Sequence, residues 1–228
     1  MIIFSDLSEV LLNGIIGVEN FIDQHYGMAV AKQFIERKNE TKESFEELLR
    51  GCITENHFWD LFFSSGDWPL GVPEIKTIVS LNLAKEIPGT YDVYCNITRY
   101  PKSIKSDHSV RSRINGRPEF WLVSDHIAER EQELEHLHPE IFELFSRCIW
   151  SFDEVAIKKD PGFFHRLIKH NGLDPDEIIF IDDSMDNITA AAKAGIHPLW
   201  FRNSYYMRHV LRRRGFGFAK TSPEDYNI

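Results

Sequence analysis

"IIFSDLSEVLLNG", residues 2–14, decides how the rest of the chain is read. It opens on an unbroken apolar run suited to a strand buried on both faces, and a single carboxylate, Asp6, follows where that strand would end. Two positions on, where a second carboxylate could serve as an acid/base partner, stands Ser8.

Counting Met1 with the first run (1–5), the pattern recurs at "FWLVS" (120–124), "CIWSF" (148–152), "IIFID" (178–182) and "PLWF" (198–201). Continuous rather than alternating runs predict parallel strands covered on both faces. Helical periodicity fills the gaps, over 127–145, over 160–172 with a stop at Gly172, and over 185–195 with a stop at Gly195. Strand and helix in alternation predict an α/β fold, a Rossmann-like parallel sheet with helices on both faces. Residues 15–88 break the rhythm with five helical segments separated by turns at Gly27, Gly51, Gly66 and Pro69. Such an insertion after the first strand is expected to cap the functional edge of the sheet. The expected organisation is therefore an α/β core of residues 1–14 and 89–228 and an all-helical cap of 15–88, with Pro88 and Gly89 marking the return.

At 228 residues, 43% hydrophobic and 27% charged, the chain can bury a sizeable core and is not of disordered composition. No apolar run reaches the roughly 18 residues of a membrane span, and the N-terminus lacks the pattern of a signal peptide. Three scattered cysteines (Cys52, Cys95, Cys148) support neither disulfides nor zinc, so a cytoplasmic home is expected. A net charge of -9 argues against nucleic acid as a partner; a small phosphorylated substrate is expected, bound by a monomer or homodimer. The segment 99–117 carries six Lys or Arg and one Asp; it reads as a solvated loop, or as an anion-attracting lid or partner contact.

Ligands of a doubly wound sheet sit beyond the carboxyl ends of its strands. Asp6 and Ser8 follow the first strand, Ser124 ends the second with Asp125 beside it, Lys158 follows the third, and Asp182 and Asp183 close the fourth. A carboxylate nucleophile, a hydroxyl, a fixed cation and metal-binding acids are the parts that phosphoryl transfer needs. Taken singly, each has a plainer reading: acids before a helix cap it, and a serine at a strand end makes a turn. Their joint order carries the argument. The histidines His126, His136, His138, His165 and His170 lack ligand spacing and read as surface or helix-end residues, and Phe58, Trp59, Phe62, Phe63 and Trp68 as core.

In this order the motifs resemble those of the haloacid dehalogenase superfamily: "DLSEVL" its first motif, "WLVSD" the second, "IKKDPGFF" the lysine motif and "FIDDSMDN" the fourth, with an insertion similar to its type 1 helical cap. The resemblance implies that Asp6 attacks phosphorus to give an aspartyl phosphate that water hydrolyses. It implies Mg²⁺ held by Asp6, the Ser8 main-chain carbonyl and Asp183, with Asp182 an auxiliary ligand. Ser124, Asp125 and Lys158 would contact the substrate's phosphoryl group, Lys159 replacing Lys158 if the alignment slips by one, and Asn187 would orient the acidic loop or reach the substrate. In the phosphatases of that superfamily an acid/base Asp usually occupies the position of Ser8. A hydroxyl cannot do that work near neutral pH, which leaves Glu9 or water as substitutes. It also leaves two further readings open: a weak or inactive pseudoenzyme that binds a phosphorylated ligand or protein, and a metal-free 2-haloacid dehalogenase.

Overall fold

The computed structural model describes residues 1–99 and 118–218. Its five apolar runs form one parallel sheet: β1 (Ile2–Ser5), β2 (Glu119–Ser124), β3 (Arg147–Trp150), β4 (Ile178–Asp182) and β5 (His197–Trp200), in the order β3-β2-β1-β4-β5. The continuity of the runs follows from double-sided burial. Phe4, Trp121, Val123 and Phe180 face one apolar cluster, which the later helices complete with Phe164, Leu167, Ile188 and Ala191. Ile3, Phe120, Leu122, Ile179 and Ile181 face the other. The third strand stops at Trp150, earlier than the apolar run suggests, because Ser151 turns into a short helix with its Oγ donating to the Leu49 carbonyl at 2.5 Å.

Between β1 and β2 lie α1 (Ile15–Tyr26), α2 (Met28–Glu40), α3 (Lys42–Leu49), α4 (Glu55–Phe63) and α5 (Val72–Leu83), as the periodicity predicts, followed by α6 (Thr90–Arg99). The rest of the chain supplies α7 (Glu131–Leu137), α8 (Pro139–Phe142), α9 (Ser151–Glu154), α10 (Phe163–Asn171), α11 (Met185–Lys193) and α12 (Ser204–Arg213). The single helix expected over 127–145 is thus broken. The chain leaves helical geometry at His138 (φ -134°, ψ 51°), and Pro139, which cannot continue the preceding helix, starts α8.

The inserted helices share a core with one face of the sheet, and Phe58, Trp59 and Phe62 are buried in it while Phe63 and Trp68 pack at its edge. Polar ties fasten the insertion as well. Buried Arg130 donates to Glu55 Oε1 of α4 at 2.6 and 3.1 Å and to Ser80 Oγ of α5 at 2.7 Å. Arg50 grips Asp160 through two bonds of 2.7 and 3.0 Å. Removing one partner of a buried pair such as Arg130–Glu55 strands the other charge in low dielectric, so these ties hold the insertion in register over the sheet.

Candidate active site

β1 and β4 are neighbours, yet β2 and β5 lie on opposite sides of them, so the crevice at their carboxyl ends is the topological switch point of the sheet. Asp6 leaves β1 there, its N–H donating to the Ile181 carbonyl of β4 at 2.9 Å. Its side chain is 8% exposed. Oδ1 accepts from the Leu7 N–H at 2.7 Å and from Ser124 Oγ at 2.9 Å, and Oδ2 faces the Lys158 ammonium at 2.7 Å. Lys158 also reaches Asp182 Oδ2 at 2.7 Å, while Asp182 accepts from the Ser184 N–H at 2.8 Å and from Asn187 Nδ2 at 3.1 and 3.2 Å. Underneath, Tyr94 of α6 donates to Ser5 Oγ, and Ser5 donates to the Asp6 carbonyl at 2.7 Å, which fixes the backbone that presents the carboxylate.

Charge is out of balance here. Carboxylate oxygens of Asp6, Asp182 and Asp183 lie within 4.8 Å of one another, with Lys158 the buried cation between them. Burial, and then the neighbouring Asp6 charge, pushes the Asp183 carboxyl up to about 6. Asp125, half-buried beside Ser124, is pushed up to about 6 mainly by loss of solvent. Burial alone would lower the Lys158 ammonium, but Asp182, Asp6 and Asp125 more than reverse this and hold it charged. A carboxylate cluster so short of positive charge fits a hard divalent cation such as Mg²⁺, which accepts a few oxygen ligands and keeps its waters.

The structure brings Asp6, Ser124, Lys158, Asp182, Asp183 and Asn187 together. Of the two lysines the alignment allowed, Lys158 enters the cluster, and Lys159 turns outward to Glu46 at 2.5 Å. Asp125 Oδ1 accepts the Lys158 N–H at 2.9 Å, so one of its oxygens positions the lysine loop. The amide of Asn187 is committed to Asp182, an orienting contact. Ser8 lies half-buried in a tight turn closed by Leu12 N–H to the Leu7 carbonyl at 3.0 Å and Glu9 N–H to the Leu12 carbonyl at 2.7 Å; neither bond uses the Ser8 carbonyl. Glu9, in left-handed geometry at φ 59°, accepts from the N–H groups of Gly14 (3.0 Å) and Ile16 (2.9 Å), which makes it the cap of α1. Gly14 allows this approach: a Cβ there would lie 3.0 Å from Glu9 Oε1 and 3.1 Å from Ser8 Cβ. The basic segment 99–117 lies outside the described residues, apart from the end of α6 at Arg99.

Of the histidines read as surface or helix-end residues, His138 sits at the end of α7 and is buried there, whereas His126, buried in the loop after β2, is neither. His138 Nε2 bonds the Leu83 carbonyl at 2.7 Å. His126 follows Asp125, its Nδ1 accepts the Ile127 N–H at 2.9 Å, and burial pushes its imidazole down to about 4. Nothing in its spacing marks it, because the insertion that buries it is remote in sequence. An unfolded histidine takes a proton near ~6.5, the folded one only near about 4, so protonation favours the unfolded chain as pH falls across that window. Asp125 has the opposite sign, since its folded carboxyl accepts a proton earlier than an unfolded one. Denaturant melts of the native protein and His126→Gln should therefore diverge below pH 6.5, the native form losing up to about 3 kcal/mol relative to the variant by pH 4. Parallel stability curves would contradict a neutral buried His126.

The fold and the cluster define an α/β scaffold with a buried carboxylate, Asp6, at its switch point. The chain belongs to the haloacid dehalogenase-like hydrolases, whose family model matches residues 1–195. Similar solved structures include a HAD-like family hydrolase from Porphyromonas gingivalis (16% identity, 94% of this chain and 98% of that one, TM-score 0.63). A HAD family enzyme from Bacteroides thetaiotaomicron, in complex with magnesium and inorganic phosphate, is also similar (20% identity, 88% and 93%, TM-score 0.58). So is the L-2-haloacid dehalogenase of Xanthobacter autotrophicus with chloropropionic acid covalently bound (11% identity, 99% and 86%, TM-score 0.58). No curated protein matches the chain. Among the described residues, no helix is long and apolar enough to cross a membrane.

Proposed function

We propose that the chain is a Mg²⁺-dependent phosphatase of small phosphate monoesters, with residues 1–14 and 89–228 as catalytic core and 15–88 as cap. The observation that carries this reading is the uncompensated acidic cluster of Asp6, Asp182 and Asp183, served by the buried ammonium of Lys158. Without a metal, three carboxylates around one ammonium would repel one another, a standing cost that a divalent cation removes. A Mg²⁺ ion would be held by Asp6, Asp183 and the Ser8 carbonyl, with Asp182 behind them through its bond to Lys158. When bound it supplies the positive charge that draws the phosphate dianion to a carboxylate.

The protein's own residues do the remaining work. Asp6 Oδ1 is fixed by Leu7 N–H and Ser124 Oγ, so its carboxylate is aimed without rotamer search. Attack on phosphorus forms an aspartyl phosphate and breaks the ester bond; water then attacks phosphorus and frees Asp6. Lys158 stays charged throughout and stabilises the phosphoryl oxygens as they gain charge, while Ser124 Oγ can turn from Asp6 to one of them. Phosphate release across a panel of monoesters, with Mg²⁺ and with a chelator, tests the reading. Metal-dependent release is expected; chloride release from 2-chloropropionate without metal, or Mg²⁺ binding with no product from any ester, would replace it with the dehalogenase or the pseudoenzyme.

A further inference from the structure

A pocket lies between the insertion and the carboxyl ends of the strands, and its two sides differ in chemistry. The insertion contributes Ile15 and Val18 of α1, Phe45 of α3, Trp59 of α4, and Val79 and Leu83 of α5. All six are apolar, and the one polar atom among their side chains, Trp59 Nε1, is already bonded to Glu55 Oε1 at 3.2 Å. The core contributes Ser8, Asp125 and His126, two residues or fewer from Asp6 or Ser124, so the pocket opens beside the reacting carboxylate. No Lys or Arg is among its lining residues. Asp125 already spends one oxygen on the Lys158 N–H. His126 accepts the Ile127 N–H at Nδ1, which puts its own ring hydrogen on Nε2, a donor with no partner among the described residues.

We infer that the group carried by the phosphate has no second negative charge and is apolar along most of its length, with one hydrogen-bond acceptor met by His126 Nε2–H. The inference rests on the phosphatase reading for the placement of the phosphate. A second phosphate or a carboxylate in this pocket would be desolvated against leucine, valine and phenylalanine without a counter-charge and beside the Asp125 carboxyl, and a sugar would bury several hydroxyls against too few partners. An alkyl or aryl chain instead gains about fourfold in affinity for each methylene that the walls cover.

Two measurements separate this inference from the reading beneath it. Calorimetric binding of n-alkylphosphonates, ethyl to hexyl, in the presence of Mg²⁺ needs no turnover; Kd should fall roughly fourfold per methylene until the pocket is filled, and phosphonoacetate should bind at least tenfold more weakly than butylphosphonate. Hydrolysis of hexyl and benzyl phosphate against glycerol phosphate and phosphoserine should rank the same way in kcat/KM. Ile15→Arg, at the pocket wall, should reverse the preference toward phosphonoacetate. Among benzyl phosphates, His126→Phe should selectively lose the advantage of a substrate bearing an ether oxygen, and His126→Gln, which keeps an amide donor and an acceptor for Ile127, should restore it. Graded phosphonate binding with no ester hydrolysed would keep the pocket's assignment and overturn the phosphatase. Hydrolysis that favours glycerol phosphate or phosphoserine would keep the phosphatase and overturn the inference, and failure of both binding and hydrolysis would overturn both.

Discussion

Asp6→Asn is expected to lower kcat by ~10⁴ or more on every ester the native protein hydrolyses, while leaving the fold intact. The amide is nearly isosteric with the carboxylate, and its oxygen can still accept the Leu7 N–H and the Ser124 hydroxyl. What it lacks is the charge that attacks phosphorus. Lys158 loses one carboxylate partner yet keeps Asp182 at 2.7 Å, so it is not stranded. Removing a negative charge from a crowded acidic site also relieves Asp183, whose carboxyl is raised in part by Asp6. Thermal melts should therefore place the variant within a few degrees of the native protein, and single-turnover assays with acid quench should trap ³²P on the native chain and none on the variant. Hydrolysis by Asp6→Asn at the native rate would move the nucleophile elsewhere and end the aspartyl-phosphate scheme.

Residues that close a strand could be found from sequence, because a buried parallel strand is a local signal and its end is therefore visible. Asp6, Ser124 and Asp182 were placed in that way, and the sheet brings them together because β1, β2 and β4 are adjacent. Lys158 is different: it sits in an irregular loop after α9, and nothing local separates it from Lys159. The choice is made by long-range contacts, Asp6 and Asp182 on one side and Glu46 of the insertion on the other. The same holds for His126, which packs against Trp150 and against helices of the insertion some forty residues away or more, and for Glu9, whose backbone turns at φ 59° to reach Gly14 and Ile16. α6 carries a weaker lesson. Val93, Tyr94 and Ile97 have helical spacing and are buried, but the segment is short and follows the Pro88–Gly89 turn that dominates the local reading. Strand ends are written locally, whereas the choice between neighbouring lysines or the burial of a histidine is written in the tertiary fold.

The identity of residue 8 sets the last expectation, that rate will depend steeply on the basicity of the leaving group and that Ser8→Asp will flatten the dependence. Ser8 lines the pocket in which the departing group is proposed to sit, yet its hydroxyl cannot give up a proton near neutral pH. Glu9, the substitute suggested by adjacency, has its Oε1 committed to two N–H groups at the start of α1. Its replacement by Gln should leave the leaving-group dependence unchanged. A carboxyl at position 8 would enter surroundings that already lift Asp125 and Asp183 to about 6, close to where a general acid works best at neutral pH. Ser8→Asp should then raise kcat/KM on alkyl phosphates, which expel basic alkoxides, by up to ~10². The gain stops short of a full acid/base effect because no neighbouring group has been built to orient the new side chain. On p-nitrophenyl phosphate, whose phenolate needs no proton, the change should stay within about threefold, since the assisted step is not limiting there. Plotting log kcat/KM against leaving-group pKa for native, Ser8→Asp and Glu9→Gln proteins reads all three expectations at once. A shallow native slope that neither substitution alters would mean that the proton reaches the leaving oxygen by another route, and Asp125, whose carboxyl lines the same pocket and is lifted to about 6, would be the group to replace next.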